Sequence, residues 1–433
     1  MGESEPRYIA LVDTYAFTQR LAPAFRDAGY IPIRVQSTEQ VPRFYQGHAD
    51  PFPYTADIVH CGDPGETASL LAPYRPVAVV PGGEVGVELA DILSEALQEE
   101  RPDVPSNGTA LSSARRDKYV MVERIKAQGL RGAEQILVQS EDELHAWHAS
   151  LSRRVIIKPL RSGANDGVMW CDTPDDSVRA FRRMSRRENI FSESEDGVVA
   201  QEYLVGTEYF VNTVSRDGLH HVCDIWKTHC ISVNGKNDLK VASQLLPCTG
   251  EAQDQLVPYA YEVLDALGIR HGPAHSEIKL TPDGPCLVEV GARIAGVDLP
   301  GYAHLATGES QIDWTVDAYV RPDRFQQRHA RRYELRANVA CARMVAPRSG
   351  QLVSYRGLNA IKTLESLREL NIHVKPGEWI SQTVDDTTYP VVLTLMHEVE
   401  EVLLRDLNTL RYIDGEGFYD LAGEAISPAL LMR

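Results

Sequence analysis

A chain of 433 residues is too long for one hydrophobic core and predicts two to four compact units, and 43% hydrophobic with 24% charged residues excludes a fibrous or disordered protein. Its formal net charge of −17 argues against broad binding to nucleic acid or an anionic membrane, so an anionic ligand would need a locally basic or metal-loaded site. The seven cysteines form no C-x-x-C pair or zinc spacing, the first residues are polar, and no apolar run approaches about 18 residues, which together predict a reducing cytoplasm and no membrane span.

Tyr8-Ile-Ala-Leu-Val12 reads as a buried parallel strand, followed by a helix over 18–28 that Gly29 ends. Further strands are expected at 30–35, 58–59 and 77–80, and their alternation with helices predicts a parallel α/β sheet. Pro81-Gly-Gly-Glu-Val-Gly86 then precedes a helix over 87–98 and lies where such sheets bind ligands. It is not the G-x-G-x-x-G of a dinucleotide site. Glu84 there would either meet a substrate ammonium or cap the helix N-terminus.

The polar run 101–108 is the first candidate domain joint, and a helix is expected from Ser112 to Gln128. Arg115, Arg116 and Lys118 on it suit a phosphate surface, or simply a solvated helix face. Val155-Ile-Ile-Lys-Pro159 is a strand carrying Lys158. The small-residue loop after it, with Ser162, Gly163 and Gly167, can fold its N–H groups over phosphate oxygens, although it also fits a plain turn and is not a Walker A sequence. In Val198 to Val214 two apolar segments flank Gln201-Glu-Tyr-Leu-Val-Gly206, whose peptide groups, expected to lie outside any ladder, could pair with an adenine edge.

Gly272 to Gly296 reads as a β-hairpin turning at Thr281-Pro-Asp-Gly284. Alternation allows Glu277 and Glu289 to face each other from neighbouring strands, an arrangement that would repel unless a cation lay between them. An all-oxygen ligand set favours magnesium, with manganese as a substitute. Arg293 follows in a Gly/Ala-rich turn ending at Gly296, and an ordinary solvated hairpin is the competing reading. His275, on the same strand face as Glu277, would touch substrate or merely pack. Beyond a basic run at 321–332, strands are expected over 337–347 and 384–400 and a helix over 399–409, with no chemistry-bearing motif.

Taken in order, Lys118, the strand lysine of Ile-Ile-Lys-Pro, the small-residue loop, Gln201 to Glu208, and the Glu277/Glu289 hairpin ending in Arg293 resemble the ATP-grasp superfamily over about residues 110–320. The overall layout looks like its carboxylate–amine ligases, and within them the L-amino acid ligases or dipeptide synthetases. The fold class so implied is α/β (α+β): a Rossmann-like unit over 1–110, a two-part ATP-grasp unit over 111–325 split near 195, and a C-terminal α+β lid or support over 326–433.

The resemblance further implies that Lys118 and Lys158 contact ATP phosphates beneath the 161–168 loop, and that Gln201 and the Glu202 to Leu204 backbone hold adenine. Glu208 would hold ribose, Glu277 and Glu289 Mg²⁺, and Arg293 the reacting carboxylate. One departure is Gly291, where many members carry Asn. The implied reaction joins amino acids through an acyl phosphate, with a homodimer as the commonest soluble assembly. Bicarbonate activation in the manner of biotin carboxylase, and a nucleotide sensor without turnover, are the alternatives.

Overall fold

The computed structural model describes residues 5–47, 50–185, 189–191 and 197–422. Strands β1 (Tyr8–Val12), β2 (Ile31–Gln36), β3 (Asp57–Val59) and β4 (Val79–Pro81) form an all-parallel sheet in the order β3-β2-β1-β4. Ile9 to Val12 are wholly buried, as expected of a central parallel strand covered on both faces. The first helix is shorter than expected: Ala16–Arg20 is a 3-10 turn, and α1 begins only at Leu21 (Leu21–Asp27). Helices α2 (Pro64–Leu71) and α3 (Val87–Glu100) complete this layer. Between the C-terminal ends of β1 and β4 the chain is tight: a Cβ on Gly82 or Gly83 would lie 2.9 or 2.8 Å from the Asp13 carbonyl.

The polar run after α3 is tied down. The Asn107 side chain accepts from Arg270 N and His271 N, each at 2.9 Å, and donates to His271 O at 3.0 Å. The helix expected from Ser112 breaks into a single turn at Ser113–Arg115 and then α4 (Lys118–Ala127). Asp117 causes the break: its carboxylate accepts from Tyr119 N and Val120 N at 2.8 and 3.0 Å, a stronger local bond than helix continuation provides.

Strands β5 (Gln135–Leu137), β6 (Val155–Pro159), β7 (Met169–Cys171) and β8 (Val198–Glu202) form an antiparallel sheet in the order β5-β8-β6-β7, covered by α5 (Glu141–Leu151) and α6 (Pro174–Met184).

The large sheet has eight strands. β9 (Thr207–Arg216), β10 (Leu219–Val233), β11 (Lys236–Leu245), β12 (Gly272–Thr281) and β13 (Gly284–Gly291) supply five of them. Helix α7 (Glu251–Ala266) packs against them through Leu256, Val263 and Leu264, and α8 (Leu299–Thr307), α9 (Gln311–Val320) and α10 (Pro322–Arg328) follow. The C-terminal residues do not start a separate layer, because β14 (Asn338–Met344) pairs with β11, Ala342 opposite Ala242.

The described chain ends with β15 (Gly350–Tyr355), α11 (Leu358–Lys362), β16 (Leu367–Ile372), β17 (Trp379–Ile380), β18 (Val391–His397), α12 (Glu400–Ile413) and β19 (Tyr419–Leu421). The large sheet runs β13-β12-β9-β10-β11-β14-β18-β16, with β17-β15-β19 beside it. The strand expected over 384–400 begins only at Val391, because Asp385 and Thr388 close residues 384–388 into a hydrogen-bonded turn.

Candidate active site

An open cleft of about 870 Å³, part of it open solvent, lies between the four-stranded antiparallel sheet and the large sheet. Of the residues singled out from sequence, Lys118, Lys158, Ser162 and Gly163 line it, as do Gln201, Glu202, Leu204 and Glu208, and so do Glu277 and Glu289. Gly167, Glu84, His275, Arg293 and Gly296 do not.

Lys118 opens α4 and reaches Ser162 O at 2.5 Å and Glu289 Oε2 at 2.9 Å. Lys158 on β6 is 5% exposed. Burial and then the Lys118 charge push its pKa down to about 8, with Glu289, Glu277 and Glu208 opposing. Two converging amines with this little water around them favour an anion between them. Because the folded value lies below the unfolded value of 10.5, the folded protein binds fewer protons between about pH 8 and 10.5, and stability should rise with pH across that window. Below about pH 8 the buried ammonium is a constant destabilising presence. Urea melts of the nucleotide-free protein from pH 7 to 10 should show the rise, and Lys158→Met should flatten it.

The loop over these lysines contains Ala164, Asn165 and Gly167 at φ 54, 59 and 75°, so its peptide groups turn inward as a string of left-handed residues allows. Asp166 Oδ2 accepts from Ser162 Oγ at 2.9 Å and from Ile190 N at 3.0 Å. Phe191 backs the loop, its ring lying 3.3 Å from where a Cβ on Gly163 would stand. That ring stacks on Tyr45, which stacks on Tyr15, and Phe44 N donates to Ile190 O at 3.0 Å. The loop is therefore fastened to residues 43–45, and Arg161 adds a two-pronged pair with Glu88 on α3.

The segment at 201–206 departs from expectation. β8 runs on through Glu202 opposite Val155, so Glu202 N donates to Glu134 O and Tyr203 N to Arg154 O; only beyond them is the backbone outside the ladder. The Gln201 side chain donates to Gln135, and the Glu202 carboxylate is held by Arg153 and Glu134 N. Leu204 O accepts from Lys279 Nζ at 3.1 Å. At Gly206 a Cβ would lie 2.3 Å from Leu280 O, which is backbone and cannot step aside. Gly206→Ala should therefore push this segment off β12, costing about 1–3 kcal/mol in a urea melt and raising the KM for nucleotide.

The hairpin forms with the expected turn, and Glu277 and Glu289 are register partners beside a bulge. Neither carboxylate is left bare. Lys240 Nζ bridges Glu208 at 2.9 Å and Glu277 at 3.1 Å. Burial alone would raise Glu277, but Lys240 and His275 outweigh it and hold it well below the carboxylate range. Burial raises Glu208. His275 is held by protein partners, with Nδ1 against Asn212 Oδ1 at 2.7 Å and Nε2 at 3.4 Å from Glu277.

Sequence reading passed over Lys240 and Asp238, although Lys236, Asp238 and Lys240 alternate as the inward face of β11 should. Asp238 holds Lys279 at 2.7 Å and accepts from the Tyr203 hydroxyl at 3.1 Å.

A second cluster adjoins the first. Glu84, 7% exposed, accepts from Arg116 Nη1 at 3.0 Å and Arg293 Nε at 2.7 Å. Burial would raise Glu84, but Arg293, Arg116 and Lys118 together bring it down to about 2. The expected phosphate surface of three cations is thus dispersed: Arg116 serves Glu84, and fully buried Arg115 serves Asp91 and the Leu267 carbonyl, which leaves Lys118 facing the cleft. Glu84 itself makes no side-chain cap, since its carboxylate turns to the arginines. The same pair accounts for Gly291: a Cβ there would lie 3.0 Å from Glu84 Oε2 and 3.1 Å from Arg293 Cζ. Past Gly296, Val297 is 41% exposed at φ 57°, a strained conformation for a β-branched residue.

A family model of the ATP-grasp domain matches residues 151–300. Over 419 residues the chain is 30% identical to dapdiamide A synthase of Enterobacter agglomerans, covering 95% of this chain and 97% of that one. The chain belongs to the ATP-grasp superfamily. It is an ATP-dependent carboxylate–amine ligase, forming a C–N bond. Among solved structures, L-amino acid ligase from Bacillus licheniformis superposes with a TM-score of 0.71 at 17% identity, covering 95% of this chain and 98% of that one. N5-carboxyaminoimidazole ribonucleotide synthetase in its ADP complex gives 0.65 at 18% identity, covering 94% and 97%. Likeness to biotin carboxylases is confined to fold, at 11–13% identity. No described helix is long and apolar enough to cross a membrane.

Proposed function

We propose that this ligase joins two amino acids, or an amino-acid-like carboxylate and amine, through an acyl phosphate. The observation that carries this reading is the juxtaposition of Lys118 and Lys158 with Glu277 and Glu289 in one cleft, next to the buried Arg293–Glu84 pair. The full-length likeness to dapdiamide A synthase supports it.

The donor set at Glu277 and Glu289 fits a magnesium ion: two carboxylates on opposing strands, now balanced by lysines, need only phosphate oxygens and water to complete an oxygen shell. Bound there, Mg²⁺ supplies neutralising charge on the transferring phosphate. Lys118 and Lys158 hold the phosphates in place beneath the 160–168 loop. Leu204 and its neighbours face the base, and Glu208 the ribose side. Arg293, oriented by Glu84, presents its guanidinium to the substrate carboxylate and then to the oxyanion formed when the amine attacks the acyl carbon. The loop and its aromatic backing exclude water, which would otherwise hydrolyse the acyl phosphate. The three-unit division at 110 and 325 belongs to the same proposal, with Asn107 and β14 as contacts that cross it.

A screen of amino-acid pairs for ATP-dependent phosphate release, with mass measurement of products, tests the reading. One pair or a small set should give stoichiometric ADP and amide. Phosphate release that is indifferent to every amino acid would overturn it.

A further inference from the structure

Asp386 lies in the C-terminal part of the chain, to which sequence assigned no chemistry, yet it lines the same cleft as Lys158 and Glu277. Its turn is rigid. The Thr388 hydroxyl accepts from Val384 N at 2.9 Å and Asp385 N at 3.1 Å, and Asp385 Oδ1 accepts from Thr387 N at 3.0 Å and the Thr387 hydroxyl at 2.7 Å. Asn234, in the turn between β10 and β11, donates to Thr383 O at 2.8 Å and Ala346 O at 3.0 Å, and the Tyr389 hydroxyl donates to Lys240 O. The turn is thus fixed to the hairpin that carries Lys240. Asp385 is consumed in building it. Asp386 is not: its Oδ1 is buried and has no hydrogen-bond partner among the described residues.

A buried carboxylate oxygen in a ligand cleft calls for a donor. A triphosphate offers none and would be repelled. Among the described residues no group of three acidic, histidine or cysteine side chains could hold a metal ion, so Asp386 is not a third protein ligand beside Glu277 and Glu289. Asp238, another acidic residue of the cleft, is already bonded to Lys279 and Tyr203. Between base and phosphates a nucleotide carries two ribose hydroxyls, and between Tyr203 and Glu277 the cleft carries Lys240 with Glu208, whose carboxylate is already paired to that lysine.

We propose that Asp386 accepts a hydrogen bond from a ribose hydroxyl of the bound nucleotide, which makes the C-terminal turn a sugar-reading element of the active site. The inference rests on the nucleotide reading of the cleft and adds a residue to it.

The test is steady-state kinetics of Asp386→Ala and Asp386→Asn with ATP, 2′-deoxy-ATP and 3′-deoxy-ATP, varying each substrate in turn. Asp386→Ala should raise the KM for ATP roughly tenfold with kcat held within about twofold, and should erase the parental preference for ATP over one of the two deoxy analogues. Asp386→Asn, which keeps an acceptor oxygen and the turn, should recover part of that preference. The assignment is overturned if both variants prefer ATP over both analogues by the parental factor, or if the KM change falls on the amine or the carboxylate. Parental turnover with ATP checks the nucleotide reading separately, since the Asp386 assignment is judged only on the ratio between ATP and its analogues.

Discussion

Lys158→Met is expected to lose ATP-dependent turnover by about a hundred- to a thousandfold, the usual effect of removing one preorganised charge from a transition state. The same protein should be at least as stable as its parent at pH 7, because what is lost from the folded state is an ammonium buried beside Lys118 and partly starved of water. Activity and stability moving in opposite directions is a sharper result than a loss of activity, which any misfolded variant would show. Glu289→Gln should match it in rate while lowering stability, since Lys118 then loses the carboxylate 2.9 Å away. Phosphate release and urea melts on the same preparations decide the matter. Either variant turning over ATP at the parental rate while folded would remove the basis for the proposed phosphate clamp.

The second large effect is expected at Glu84, and there stability and function should fall together. Substituting alanine leaves buried Arg116 and part-buried Arg293 without their shared carboxylate, and breaking a buried ion pair typically costs about 3–5 kcal/mol. Glutamine keeps the shape and should recover little of that, because it is the charge that holds Arg293 and Arg116 together. The folded pKa of about 2 lies below the ordinary value of 4.5, so this contribution is fully present above pH 4.5 and is lost as pH falls toward 2. An acid melt should show that loss in the parent and a smaller one in Glu84→Gln. A glutamine variant as stable as the parent at pH 7 would mean that the pair does not organise Arg293.

What could be read from the chain depended on whether its signal was local. Glu277 and Glu289 were legible because alternation and the Thr-Pro-Asp-Gly turn fix a hairpin register within twenty residues or so. Lys158 was legible because an apolar run ends at a lysine before small residues. Arg115 and Arg116 were misread because their partners, Asp91 and Glu84, lie 24 and 32 residues upstream, and nothing in the helix-like spacing betrays burial. Lys240 escaped because β10 is inward-packed on both faces for much of its length, so it shows no period of two, and β11 is recognisable mainly by pairing with it. Gly291 was noticed as a departure, but its cause is the pairing of nearby Arg293 with Glu84, which comes from more than 200 residues upstream. Asp386 was out of reach altogether, since only the sheet that runs from β11 into β14 brings that turn to the cleft.

If the 160–168 loop closes over the nucleotide as proposed, the rings of Tyr15, Tyr45 and Phe191 set the terms on which a spent nucleotide can leave. Lifting the 160–168 loop means peeling Phe191 from Tyr45 and breaking the Phe44 to Ile190 bond, which wets apolar surface at roughly 25 cal/mol for each Å² exposed. The seam lies outside the cleft, in residues that do not line it. On that reading a rate-limiting opening at residues 15 and 43–45 would make turnover respond to solvent viscosity and temperature more than to the nature of the amine.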